Sequence, residues 1–297
     1  MTTQGHLIEI DLALLDGKAP VKTVIPDLPQ ALALNATNEH IFQESLSRHT
    51  EYFPFLVDTH HGNWLDWIIY KYELPSREIT DFAYVVTTSV QNTIVLVELE
   101  DPAKKMWVGP SHKPSRSKHF VSALEQVERW RIHLQDPVQR QKIIADMSAM
   151  MSRSSLLQNP WEIKYALVYG RSSENASLAQ KRAYADLQNN SGIHLATYDH
   201  LVSAKQRQQI RRHNVVRITA GQTFEYLFLN TEPGSDFAYL PCGSLSITPD
   251  IERLLESLDY DIAAWKAGES LNVAGKHPMS KLSTLLARGL NPKLHSK

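Results

Sequence analysis

Two neighbouring apolar runs in the first half of the chain predict a pair of β-strands. The first run is Asp81–Val86 and the second is Ile94–Glu100, with a polar turn between them. Both runs are short and rich in valine and other β-branched or aromatic residues, which favours buried strands over a helix. Because strands joined by a short turn pair antiparallel, we predict a hairpin here.

Three carboxylates lie at one end of this predicted hairpin. Side chains alternate between the two faces of a strand, so Glu98 and Glu100 project to the side shared by Ile94 and Leu96. Asp81 begins the first strand, and antiparallel pairing returns it to the neighbourhood of Glu98. Like charges on buried strands are costly to desolvate unless a cation or hydrogen-bond donors receive them. The pattern therefore indicates an oxygen-lined pocket suited to a hard divalent ion.

The segment after the hairpin carries basic residues and no acidic ones. Between Ala103 and Phe120 the charge asymmetry comes from seven side chains: Lys104, Lys105, His112, Lys113, Arg116, Lys118 and His119. A lysine-rich loop alone is usually solvated surface. Beside an acidic metal pocket, however, such a loop is suited to holding a phosphate backbone.

The helix predicted next carries a glutamine that faces inward or along the border of the buried face. Phe120, Leu124 and Val127 form its apolar stripe, and Gln126 lies on an adjoining stripe with Trp130. An inward amide needs hydrogen-bond partners, and a metal-bound water, a substrate phosphate or a backbone group would serve.

The later elements extend the hairpin into a mixed sheet. Trp64–Leu74 favours a strand before the hairpin, while Ile163–Gly170, Ala176–Asn189 and Gly192–Thr197 are typical of a strand, helix and strand in a parallel crossover. We therefore predict an α/β protein with a central mixed β-sheet flanked by helices.

The region upstream of these strands is less informative. An alternating run at Leu7–Leu12 predicts a strand, and the proline-bearing passage after it predicts a loop. A helix is expected from Asn38, and its Glu44 either faces the carboxylate pocket or is an ordinary solvated glutamate. The adjacent His60 and His61 are expected to be loop residues, because no second ligand pair at helical spacing accompanies them.

Composition narrows the class of protein. Hydrophobic residues make up 42% of the 297 residues and charged residues 21%, as in ordinary globular proteins, and the net charge of −1 gives no global signature of a nucleic-acid binder. The single cysteine, Cys242, excludes an internal disulfide framework and is expected to be buried. No apolar run reaches the roughly 18 residues that a membrane span requires, and the N-terminus lacks a signal-peptide pattern, so we expect a cytoplasmic protein without a membrane partner.

An ordered series of motifs resembles the Shedu immune nuclease domain, a member of the PD-(D/E)xK nuclease superfamily. The series covers roughly Asn38 to Val202 and consists of Asp81, Val97–Pro102, Ala123–Trp130, Val168–Arg171 and Thr197–Leu201. The resemblance implies a restriction-endonuclease-like core at 38–202. Outside that span, the sequence patterns predict an N-terminal strand and loop extension at 1–37 and a C-terminal α+β region at 203–297. It also implies metal-dependent cleavage of DNA in defence against phage, and assembly into homo-oligomers.

The same resemblance assigns roles to individual residues. Asp81 and Glu98 match the two metal-binding acids, Gln126 matches the glutamine of the following helix, and Glu44 is a weaker match to an acid on the upstream helix. Glu100 departs from the pattern, because the superfamily usually has lysine there. It is expected either to be an extra ligand for Mg²⁺ or Mn²⁺ or to mark a site that has lost catalysis.

The leading hypothesis is therefore a Mg²⁺- or Mn²⁺-dependent DNA endonuclease. Its backbone contacts would come from four basic residues, Lys104, Lys105, Arg116 and Lys118, and either Lys104 or Lys105 could replace the missing lysine by reaching back from the loop. Three alternatives remain: a nuclease-fold module that binds nucleic acid or a protein without cutting, a carboxylate-pair hydrolase acting on sugars, and purely structural carboxylates.

Overall fold

The computed structural model describes residues 25–34, 38–55, 63–151, 155–207, 213–219, 223–228, 242–257 and 260–269. In those ranges the strands are β1 Asn63–Tyr70, β2 Phe82–Thr87, β3 Asn92–Leu99, β4 Trp107–Val108, β5 Ser115–Arg116, β6 Trp161–Val168, β7 Ile193–Ala196, β8 Asn214–Thr219, β9 Thr223–Phe228 and β10 Leu245–Ser246. The helices are α1 Leu28–Ala33, α2 Glu39–Arg48, α3 Lys118–His133, α4 Pro137–Ala149, α5 Leu178–Ser191, α6 Tyr198–Arg207, α7 Pro249–Ser257 and α8 Ile262–Lys266.

One mixed sheet organises the described part of the chain, as the hydrophobic pattern predicted. Its strand order is β10-β9-β8-β1-β2-β3-β6-β7, and β4 and β5 form a separate small hairpin. The predicted pairing of β2 with β3 is antiparallel, and β6 runs parallel to both β3 and β7. The mixed α/β fold is therefore confirmed.

The central strands are buried on both faces. On one face, the sheet packs against α3 and α4 through residues such as Phe120 and Met147. On the other face, it packs against α1, α2 and α6 through residues such as Phe42 and Leu201. Alternation along β3 divides its side chains in the expected way, with Ile94 facing the α3 layer.

Sequence signals at the helix ends explain where several helices begin. Asn38 caps α2 by accepting a hydrogen bond from the His40 N–H at 3.1 Å. Asp136 caps α4 and is followed by proline at the first helical position, where the missing N–H costs nothing. None of the helices among the described residues is both long and apolar enough to cross a bilayer.

Some expectations are wrong or fall outside the described residues. Cys242 is exposed rather than buried, because it lies in a turn before β10. Part of the expected N-terminal loop is instead the short helix α1, which Asp27 caps. The predicted strand at Leu7–Leu12 and the pair His60 and His61 lie outside the described residues.

Candidate metal centre

The ends of three adjacent strands meet where the sequence placed the acidic residues. In the ladder, Tyr70 of β1 pairs with Phe82 of β2, and Phe82 pairs with Val97 of β3. The next position along this row contains Asp81, whose N–H donates to the Val97 carbonyl at 3.1 Å. Antiparallel pairing therefore brings Asp81 beside Glu98, as expected.

Asp81 is buried and fully engaged. It is 3% exposed. Its Oδ2 accepts a hydrogen bond from the Leu99 N–H at 2.7 Å. Its Oδ1 accepts from the Lys71 ammonium at 2.5 Å and from the Gln43 amide at 2.7 Å. These donors hold the carboxylate in one orientation at the end of the sheet.

Glu98 is buried but only half satisfied. It is 7% exposed, and its Oε1 accepts a hydrogen bond from the Gln126 amide at 2.6 Å. Its Oε2 is buried and has no hydrogen-bond partner among the described residues. The predicted inward orientation of Gln126 is confirmed, while its catalytic role stays a prediction.

The acids raise one another's proton affinity. Burial raises the pKa of Glu98 well above its ordinary value, and the carboxylates of Asp81, Glu39 and Glu100 raise it further. Burial also raises the pKa of Asp81, against the lowering effect of the Lys71 ammonium and of the hydrogen bond from the Leu99 backbone N–H. Burial alone would lower the pKa of Lys71, but its contact with Asp81 raises it, so this side chain stays charged. A pocket of this kind binds additional positive charge favourably.

Helix α2 contributes to the site through a residue that the sequence analysis did not select. Gln43 is completely buried, and its amide nitrogen bridges Asp81 and Glu39, donating to each at 2.7 Å. Glu44, the residue proposed from the resemblance, is exposed on the same helix. The signal that identifies Gln43 is its position beside Phe42 and three residues before Leu46, on the apolar stripe of the helix.

Lys71 is a second residue of the site that the sequence pattern does not identify. It follows β1 directly, and its backbone N–H donates to the Asp81 carbonyl at 2.9 Å. Its place opposite Asp81 depends on the pairing of β1 with β2, which includes a register shift between Trp64 and Ile68. The order of the strands along the chain gave no means of fixing that register.

Glu100 lies just beyond β3, at the outer side of the acid pair. Its carboxylate accepts a hydrogen bond from the Lys104 ammonium, and both side chains are partly exposed. Its backbone is fixed on both sides, since its N–H donates to Val168 at 3.0 Å and its carbonyl accepts from the Tyr198 hydroxyl at 2.7 Å. Lys104 therefore does reach back from the basic segment, and its contact there is Glu100.

The basic segment contains the β4–β5 hairpin and the first residues of α3, and it is anchored to the body of the protein. The Trp107 indole N–H donates to Asn175 at 2.8 Å, and the Ser177 hydroxyl donates to the Ser111 carbonyl at 2.7 Å. The three other basic residues proposed to contact substrate are exposed: Lys105, Arg116 and Lys118. An anchored hairpin with exposed cations is suited to binding an extended polyanion.

The acid pair fits a hard divalent ion held through few protein ligands. The unpartnered Oε2 of Glu98 is a buried acceptor, and Mg²⁺ commonly takes one or two carboxylates, with water and substrate phosphate completing its shell. Across the described ranges, no three His, Cys, Asp or Glu side chains are grouped as a metal site. The fit is therefore to the pair Asp81 and Glu98 rather than to a cage made wholly by the protein.

Comparison with known proteins finds a family model that matches this part of the chain. No curated protein matches the chain. The family model described as the C-terminal part of the Shedu protein SduA matches residues 36–202, which is more than half of the 297 residues. That span contains the three strand ends, Gln43, Gln126 and the basic hairpin. The chain therefore belongs to the family of the Shedu protein SduA, which it matches through the C-terminal part of that protein.

Proposed function

We propose that this protein is a metal-dependent DNA endonuclease acting in antiphage defence. The observation that carries the proposal is the buried pair Asp81 and Glu98, in which one Glu98 oxygen has no hydrogen-bond partner among the described residues while the Gln126 amide donates to the other. The basic segment follows Glu100 in the chain, whose carboxylate binds Lys104, and it carries the exposed side chains of Lys105, Arg116 and Lys118. Family membership supports the defence role, since the resemblance to Shedu nucleases implies it.

In this proposal Asp81 and Glu98 hold one Mg²⁺ or Mn²⁺ ion. Such an ion lowers the pKa of bound water and neutralises charge on the phosphate when it is present. Asp81 is held in place by the Leu99 N–H and the Gln43 amide, so it offers a fixed oxygen. Glu98 offers its free oxygen, and Gln126 fixes the orientation of the Glu98 carboxylate and can position water or a phosphate oxygen.

The exposed residues Lys105, Arg116 and Lys118 are proposed to contact the DNA backbone. They provide charge without base-edge chemistry, so the contacts position the duplex and carry no sequence information. Lys104 is a weaker candidate, because the Glu100 carboxylate already engages its ammonium.

A second candidate function is binding of nucleic acid or a protein partner without cleavage. It is favoured by Glu100, which stands where the superfamily pattern has lysine and binds Lys104 instead of leaving that cation for substrate. This candidate predicts DNA binding that does not require a divalent ion.

The test is cleavage of supercoiled and linear DNA with Mg²⁺, with Mn²⁺ and with EDTA. The proposal predicts nicking or cutting only with a divalent ion, and loss of cutting in Glu98→Ala. Glu125→Ala is the matched control, because Glu125 is exposed on the same helix as Gln126. Cutting by the Glu98 variant would overturn the site, and binding without cutting in every metal would favour the second candidate. Plaque counts on cells expressing either variant test the defence role.

A further inference from the structure

Lys71 extends the row of charged residues across the ends of three strands. Its N–H donates to the Asp81 carbonyl at 2.9 Å, which continues the β1–β2 ladder one step beyond the pair Tyr70 and Phe82. Residues paired across antiparallel strands project to the same face. Lys71, Asp81 and Glu98 therefore lie side by side at the ends of three adjacent strands.

The ammonium of Lys71 contacts the buried acid and is still accessible. It lies 2.5 Å from Asp81 Oδ1, and the Lys71 side chain is 31% exposed whereas that of Asp81 is 4% exposed. A phosphate that approached the acid pair from solvent would therefore meet this cation. By contrast, the ammonium of Lys104 contacts Glu100, at the outer side of the pair.

The backbone at Lys71 is held in a conformation that lysine rarely adopts. Its φ is +51°, in the left-handed region that favours glycine. The turn at the end of β1 would form more easily with glycine, which has no side chain to place. Strained non-glycine residues of this kind cluster at functional sites, where the surrounding structure maintains them.

We propose that Lys71, directly after β1, supplies the phosphate-binding cation that position 100 of this chain does not supply. This inference rests on the proposed nuclease function and adds a catalytic residue to it. Lys71 contacts a non-bridging phosphate oxygen and stabilises the negative charge that develops there. Its ammonium remains protonated throughout. Water adds to phosphorus and gives up one proton to solvent, the bond from phosphorus to the leaving oxygen breaks, and solvent returns a proton to that oxygen, giving a phosphate monoester and an alcohol.

The rival explanation is that Lys71 is only a counter-ion that neutralises Asp81. The two explanations differ in what loss of the ammonium does to metal binding and to turnover. A counter-ion holds Asp81 in place, so its loss would weaken metal binding together with activity. A phosphate-binding cation competes with the metal for Asp81, so its loss would leave metal binding equal or tighter while turnover falls.

The variants are Lys71→Met, Lys71→Arg and Lys71→Gly, with Arg77→Met as the matched control. Arg77 is also basic, lies in the same β1–β2 connection and has a φ of +69°, but it is exposed. Lys71→Gly removes the ammonium at a backbone position that glycine adopts easily, so it decides the question if Lys71→Met fails to fold. The readouts are kcat and KM for DNA with Mn²⁺, and Mn²⁺ affinity by calorimetry without DNA.

We expect Lys71→Met to lower kcat by about 100-fold or more, as loss of one oxyanion-binding donor does in other hydrolases. Mn²⁺ affinity should be equal or tighter, Lys71→Arg should recover part of kcat, and Arg77→Met should match the parent. If the parent is active, two results would overturn the role of Lys71 and leave the nuclease proposal standing. One is an unchanged kcat in both the methionine and the glycine variant, and the other is weakened Mn²⁺ binding in both. A parent inactive in every metal would overturn both.

Discussion

Replacing Glu98 by glutamine should make the protein more stable while abolishing cleavage. The carboxylate is 7% exposed, one of its oxygens has no partner among the described residues, and three nearby acids disfavour its charged form. Glutamine keeps the shape and the oxygen that accepts from Gln126, but it carries no charge. Its amide nitrogen would replace the unpartnered oxygen, and the neutral amide would not be repelled by the carboxylates of Asp81, Glu39 and Glu100.

The gain can be sized from the unsatisfied buried oxygen. Leaving a buried polar group unpaired costs about 1–3 kcal/mol, and more when the group is charged. For a protein of this size, each kcal/mol changes the melting temperature by roughly 2–4 °C. We therefore expect Glu98→Gln to melt about 2–12 °C above the parent at pH 8 without divalent ions.

The gain should also depend on pH in a defined direction. Because the pKa of Glu98 is raised in the folded protein, the folded state holds its proton more tightly than the unfolded state does. The stability of the parent that is due to this group is present below the ordinary glutamate pKa and is lost as the pH rises through the folded value. The advantage of Glu98→Gln should therefore be small at pH 4 and grow toward pH 8.

The assay is thermal melting from pH 4 to pH 8, with and without Mg²⁺. Mg²⁺ should stabilise the parent and have little effect on the variant, because a ligand that binds only the folded state raises stability by mass action. Glu125→Gln, an exposed change on α3, is the control and should show neither effect. A Glu98→Gln protein that is less stable than the parent at pH 8, or whose advantage does not change with pH, would refute the reasoning.

Two further predictions concern the surroundings of Asp81 and Glu98, and a third concerns the oligomeric state. Gln43→Leu removes the amide that bridges Asp81 and Glu39 and should lower the free energy of unfolding by about 1–3 kcal/mol, with weaker Mn²⁺ binding; normal values for both would contradict the bridge. Changing Lys105, Arg116 and Lys118 together to glutamine should weaken DNA binding and make the slope of log K against log salt shallower by about 3. Binding titrations at several salt concentrations measure this slope, and an unchanged slope would show that these three residues do not contact the DNA backbone. The homo-oligomer implied by the family resemblance should appear in light scattering as a mass that is a multiple of the chain's own.

Features that depend on contacts between residues close together in the sequence could be predicted from it. The meeting of Asp81 with Glu98 followed from a hairpin, in which the turn and the alternation of side chains fix the register. The orientation of Gln126 followed from helical periodicity within one segment. The sequence does not decide whether Glu44 or Gln43 faces the site. Both side chains are polar, and neighbouring residues on a helix differ in direction by about 100°, so a small error in the predicted helix orientation selects the wrong one.

The remaining features depended on pairing between distant segments. Lys71 reaches the site because β1 pairs with β2 after a register shift, which composition does not reveal. Likewise, nothing in the apolar run of β8 indicates that it pairs with β1. Local patterns are compatible with several registers, and only the assembled core selects one of them.

The pairing of β8 with β1 means that the family match does not coincide with a folding unit. Trp67, Ile68 and Ile69 of β1 are bridged in parallel by β8, which begins twelve residues after the matched span ends at residue 202. A protein truncated at that residue would leave the flank of β1 bare, with unpaired amides and carbonyls ready to join another chain. A fragment for biochemistry should therefore extend from the matched span through β10. A shorter fragment is expected to aggregate for reasons unrelated to its chemistry.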